Sequence, residues 1–107
     1  METPKHILDI LNENNAAQGW PLCTDDDEVL ECLRELPQLD RVETGRSRWW
    51  TNYGVVVRCG SRCIQFRDAE SDDRTASEAG WEFRPDLIRE VKEVREMVEV
   101  VKYVAIT

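Results

Sequence analysis

Four cysteines and one histidine are the residues of this chain best suited to binding a metal or moving a proton: Cys23, Cys32, Cys59, Cys63 and His6. Zinc sites usually hold their thiolates in C-x2-C pairs, because a two-residue turn brings both sulfurs to one tetrahedral centre. Here Cys23 and Cys32 stand nine positions apart, Cys59 and Cys63 stand four apart, and His6 is remote from both pairs. That spacing favours small, buried apolar side chains over metal ligands. It also lets Cys59 and Cys63 face each other across a hairpin as a redox-sensitive pair, and it leaves metal binding or pairing undecided. No cofactor is expected.

Carboxylates are the second candidate chemistry. Asp25, Asp26, Asp27 and Glu28 form a run of oxygen ligands. It lacks the central glycine and distal glutamate of a calcium-binding EF-hand loop. The run reads first as a helix start matched to the helix dipole, and second as a patch that faces a partner. A third candidate is basic and aromatic: Arg46, Arg48, Trp49, Trp50 and Tyr53 have the composition of a surface on which bases stack and arginines meet phosphates. If Trp49 and Trp50 lay on a strand, they would point to opposite faces. No G-x-S-x-G, phosphate-cradling glycine loop or H-E-x-x-H is present, so binding rather than an enzyme activity is expected.

The elements that must position these groups can be read in outline. The chain has 107 residues and a formal net charge of −8, which fits a single domain over 1–107. The charge is uneven. Residues 1–40 hold two basic and ten acidic side chains, residues 41–67 hold six arginines against Glu43, and residues 68–107 hold six basic and eleven acidic. Net negative charge disfavours wrapping by long nucleic acid and suits a basic partner. No apolar run approaches the length of a membrane span, and the start METPKHILDILNENN lacks the pattern of a secretory signal. A cytoplasmic location with reduced thiols is therefore expected.

Thr3-Pro4 predicts a helix start, Ile7, Leu8 and Leu11 its apolar stripe, and Asn14-Asn15 its end. Thr24, with Asp27 three residues on, predicts the cap of a second helix. Val29, Leu30, Leu33 and Leu36 form its buried face, and Pro37 stops it. These two helices make residues 1–40 an acidic helical part, and residues 49–106 read as mainly β. Tyr53–Cys59 and Arg62–Arg67, joined by Gly60-Ser61, predict a β-hairpin. Residues 69–80 read as a long surface loop, and Trp81 and Phe83 as a short strand before Pro85. The C-terminal stretch fits two states. Leu87, Val91, Val94, Val98, Val101 and Ala105 follow a heptad-like helical seam, while 88–91 and 98–103 are β-branched. On periodicity alone the helix leads.

The pattern WWTNY (49–53), Val55, Val57, Gly60, Ile64, Ala69, GWEF-x-P (80–85), Ile88, Glu90-Val91, Val98, Val100 and Lys102-Tyr103 resembles small, uncharacterised phage-encoded proteins over the C-terminal half. Those proteins carry proline where this chain has Lys92-Glu93, which implies two strands in place of a long helix. With strands near 53–59, 62–68, 81–84, 88–92 and 97–104, the expected fold is α+β: two N-terminal helices on a small, strongly bent antiparallel sheet or SH3-like barrel. The alternative is a long helix from 86 to 105.

The resemblance and the acidic ends together give the functional expectation: a phage or mobile-element accessory protein that binds a host protein, in its sharpest form an anti-CRISPR-like inhibitor whose carboxylates stand where phosphates would. The expected contact residues are Asp25, Asp26, Asp27 and Glu28, a second acidic edge at Glu90, Glu93, Glu96 and Glu99, and the positive island of Arg46, Arg48 and Trp50. The partner is expected to be a nucleic-acid-handling host protein, with neither membrane nor direct nucleic acid. Two other readings remain. One is a nucleic-acid-binding module using Arg46, Arg48, Trp50, Tyr53, Arg58 and Arg62. The other is a structural or virion-associated domain, with a homodimer through the 87–105 seam.

Overall fold

The computed structural model describes residues 2–71, 75–76, 78–95, 99 and 101–106. Helices α1 (Lys5–Gln18) and α2 (Asp26–Glu35) come first. Strands β1 (Gln38–Arg46), β2 (Thr51–Cys59) and β3 (Arg62–Glu70) follow, then a 3-10 turn at Pro85–Leu87 and β4 (Arg89–Val91). The sheet is antiparallel throughout and ordered β1-β2-β3-β4. β1 and β4 are its edges, so it is an open sheet and not a closed SH3-like barrel. The α+β expectation holds. Among the described residues, no helix is long and apolar enough to cross a membrane.

Alternation builds the sheet's inner face. Val55, Val57 and Cys59 on β2 and Ile64 and Phe66 on β3 are buried, and successive strand residues point to opposite faces. Ile7 and Leu11 from α1, Val29, Leu30, Leu33 and Leu36 from α2, and Ile88 after the 3-10 turn join the same core. Both helices therefore lie on one face of the sheet. The predicted hairpin is present, with Val55 opposite Phe66 and Val57 opposite Ile64. Gly60 takes a positive φ of 63° at the first turn position, as a two-residue hairpin turn with glycine there requires.

The helix ends differ from expectation. α1 does not stop at Asn14-Asn15. It runs to Gln18 and ends at Gly19 (φ 75°), where Gly19 N–H donates to Ala16 O and Trp20 N–H to Asn15 O, the two-bond glycine cap. Thr3 does not cap α1. Its Oγ donates to Asp26 Oδ1 at 2.6 Å and ties the start of α1 to α2. The cap of α2 is Asp25, whose carboxylate accepts from Glu28 N at 2.9 Å. Glu28 Oε2 reaches back to Thr24 N at 2.7 Å. The cap thus lies one residue after the Thr24 reading, and Glu28 reaches past it to the preceding N–H, a variant of the capping box. Asp25→Ala is expected to cost ~1 kcal/mol of stability, read as a lower urea midpoint with unchanged slope. Thr24→Ala should cost less, because Thr24 donates to Glu28 and satisfies no helix N–H.

The β region also differs. It begins at Gln38, not near 49, because β1 pairs along β2 with two register shifts. Trp81–Arg84 is not a strand. The helix from 86 to 105 does not form: Pro85–Leu87 is a 3-10 turn, Arg89–Val91 pairs with β3, and 92–95 lies in no element. Pairing with Cys63, Ile64 and Gln65 gives β4 backbone partners that valine-rich helix periodicity does not anticipate. Of the expected strand 97–104, residues 97, 98 and 100 lie outside the described residues. Residues 99 and 101–104 belong to no strand, with Tyr103 96% exposed.

Candidate functional site

The asparagines of α1 set the geometry of a groove that joins apolar and acidic groups. Asn12 and Asn15 lie one turn apart and hold the connector that follows the helix. Asn12 Oδ1 accepts from Cys23 N at 2.8 Å, and its Nδ2 donates to Cys23 O at 3.3 Å. Asn15, 2% exposed, donates through Nδ2 to Pro21 O at 3.1 Å and to Cys23 Sγ at 3.6 Å. Its Oδ1 accepts from Cys32 Sγ at 3.5 Å. Every polar atom of that buried carboxamide is used, as burial demands.

So held, the connector leaves Trp20 and Leu22 45% and 54% exposed. They line a groove of about 320 Å³ with Glu28, Glu31 and Glu35 of α2, and with Cys23 and Cys32 inside. Among the described residues, no ion pair engages Glu28, Glu31 or Glu35. Arg34, between the last two, is turned to β3 instead, where it grips Asp68 with two hydrogen bonds of 2.6 and 3.0 Å. Those bonds hold the Arg34 guanidinium more firmly protonated than usual. The groove thus sets an exposed indole and an isobutyl group beside three carboxylates, which suits a cationic side chain with an apolar neighbour.

The expected contact residues are dispersed. Asp25 caps α2, Asp26 accepts from Thr3, and Glu28 accepts from Thr24, so three of the four carboxylates in the run organise the helix start. Asp27 is exposed on the first turn of α2. Glu90 pairs with Arg62 at 2.7 Å and Glu93 with Arg95 at 2.6 Å. Glu99 is exposed, and Glu96 lies outside the described residues. The sequence reading missed Glu31, Glu35, Trp20 and Leu22. The legible signal was the i, i+4 spacing of Glu31 and Glu35 on one helix face.

The basic and aromatic set is split as well. Arg46, Arg48 and Trp50 sit at the β1–β2 end, and Arg58 and Arg62 at the β2–β3 end, about seven residues or roughly 20–25 Å along the strand. Tyr53 is half-buried, with Arg41 stacked 4.0 Å above its ring. Trp49 and Trp50 are not on a strand. Both occupy the β1–β2 turn, where Ser47 Oγ accepts from each of their backbone N–H groups. Arg46 pairs with Glu43, Arg41 with Glu70, and Arg48 lies over the Trp49 ring at 4.9 Å. The positive island is therefore smaller than the charge count predicts.

The cysteines are rearranged most. Cys59 pairs in register with Arg62 and Cys63 with Arg58, so the two cysteines lie on opposite faces of the hairpin and do not meet. Cys59 turns inward, its thiol donating to Ile10 O at 3.8 Å. Burial, then the neighbouring Cys32, push the Cys23 thiol up to about 11. Burial pushes Cys59 up to about 11 as well. Among the described residues, no group of three or more His, Cys, Asp or Glu side chains is placed to hold a metal ion.

Fold and site together define a class: an α+β domain with two helices on one face of an open four-stranded sheet, and an acidic, tryptophan-edged groove where the helices join. No family model matches the chain, and no curated protein or solved structure matches it.

Proposed function

We propose that this protein works by protein–protein binding, taking a basic segment of its partner into the α1–α2 groove. One observation carries the reading: Trp20 and Leu22 are exposed beside Glu28, Glu31 and Glu35, carboxylates that form no ion pair among the described residues. An exposed tryptophan costs hydration free energy unless something covers it, and tryptophan is a favoured anchor at interfaces. An arginine is the complementary group, since it stacks on an indole and pairs with carboxylates at once. The phage resemblance extends the proposal to a host nucleic-acid-handling protein whose phosphate-binding arginines meet these glutamates.

The test uses a labelled arginine- and leucine-containing peptide and its counterpart with glutamate for arginine. The full chain should bind the first, with affinity that falls as salt rises, and ignore the second. The double variant Glu31→Lys/Glu35→Lys should weaken binding by about tenfold or more, equivalent to ~1.4 kcal/mol. Both sites are exposed, so its circular dichroism should match the parent. Equal binding of the two peptides, or an unchanged affinity in the double variant, sinks the reading.

A further inference from the structure

Cys23 and Cys32 are separated in sequence by the start of α2, and the fold closes that separation. Cys23 is pinned through both its N–H and its carbonyl by Asn12. Cys32 lies on α2, half-buried at the groove. Both sulfurs meet one carboxamide: Asn15 Nδ2 donates to Cys23 Sγ at 3.6 Å, and Cys32 Sγ donates to Asn15 Oδ1 at 3.5 Å. Cys32 is a close enough neighbour to help raise the Cys23 thiol. Cys59 is engaged elsewhere, by the Ile10 carbonyl, and Cys63 lies on the far face of the hairpin.

We infer that Cys23 and Cys32 form an oxidisable dithiol, a modification site that a small-molecule disulfide converts into a bond across the groove. Cys32 is the accessible member, so it reacts first. Its thiolate attacks one sulfur of the reagent, forms a mixed disulfide and releases the reagent's other half as a thiolate. Cys23 then loses its proton and attacks the Cys32 sulfur, expelling the second half. One protein S–S bond forms, the reagent's S–S bond breaks, and the two thiol protons of the protein leave on two small thiols. Burial keeps Cys23 protonated at neutral pH, so the second step speeds up as the pH rises. The inference stands on this geometry alone and is independent of the partner reading.

The probe is oxidised glutathione, added to the reduced full chain at mildly alkaline pH and followed by acid quench and intact mass. The expected product is two hydrogens lighter than the reduced chain, and digestion should join the peptides that carry Cys23 and Cys32. Cys32→Ser should abolish that link, while Cys63→Ser leaves its yield unchanged. The link should form more slowly in denaturing guanidinium, where Asn15 no longer holds both sulfurs. A glutathione adduct that persists on Cys32, a Cys32–Cys59 bond, or equal rates in folded and unfolded chain would overturn the inference.

Discussion

Replacing Phe66 with alanine is expected to destabilise this protein by about 3–5 kcal/mol, the usual cost of deleting a buried aromatic ring. Phe66 is 2% exposed on the inner face of β3, directly across from Val55. It belongs to the cluster that receives Leu33 and Leu36 from α2. Its removal costs transfer free energy and leaves a void where helix meets sheet, which the surrounding backbone can fill only in part. Small domains have total stabilities of about 5–15 kcal/mol, so the loss removes between about a fifth and all of the margin. Urea unfolding followed by far-ultraviolet circular dichroism would read the loss. Phe66→Leu serves as control, with a cost below about 1.5 kcal/mol if the pocket accepts the smaller apolar shape. A Phe66→Ala variant within ~1 kcal/mol of the parent would falsify the placement of this ring at the centre of the core.

Asn15→Ala should cost about 1–3 kcal/mol, although alanine is the better helix former by up to ~0.7 kcal/mol. The loss falls on the groups Asn15 serves. Pro21 O loses its donor, and the Cys23 and Cys32 thiols lose the carboxamide between them. Asn14→Ala is the informative comparison. Asn14 is adjacent and half-exposed, so the same exchange there should be neutral or slightly stabilising through helix propensity. Thermal unfolding of both variants would separate the effects. If the two asparagines respond alike, the connector is not held by α1, and the groove beside it is not a fixed feature of the surface.

The same two asparagines show how far sequence reading reaches. Asn14-Asn15 looks like a helix stop because asparagine competes with the helix backbone for hydrogen bonds. Yet Asn15 continues the spacing of Ile7 and Leu11, four residues on each time, and is buried with them. A polar residue at a stripe position was the available sign that α1 grips something polar. What it grips lies beyond the helix, so the contact is invisible to any local rule.

Local chemistry determined much by itself. Two amphipathic helices, the Pro37 break, and a hairpin turning at Gly60-Ser61 with Val55, Val57, Ile64 and Phe66 inward all follow from side-chain periodicity and turn conformation, which act over a few residues. Tertiary structure alone decided the rest. β1 is almost wholly exposed and carries no alternating pattern. It is a strand because the edge of β2 offers it backbone partners. Arg89–Val91 left its helical seam for the same reason, on β3. The cysteines nearest in sequence fell on opposite faces of a hairpin, while Cys23 and Cys32 met at Asn15. The glutamates that frame the groove became a site only when the connector set Trp20 beside them. Periodicity fixes which face of an element is apolar; which elements meet depends on long-range burial and on backbone groups finding partners.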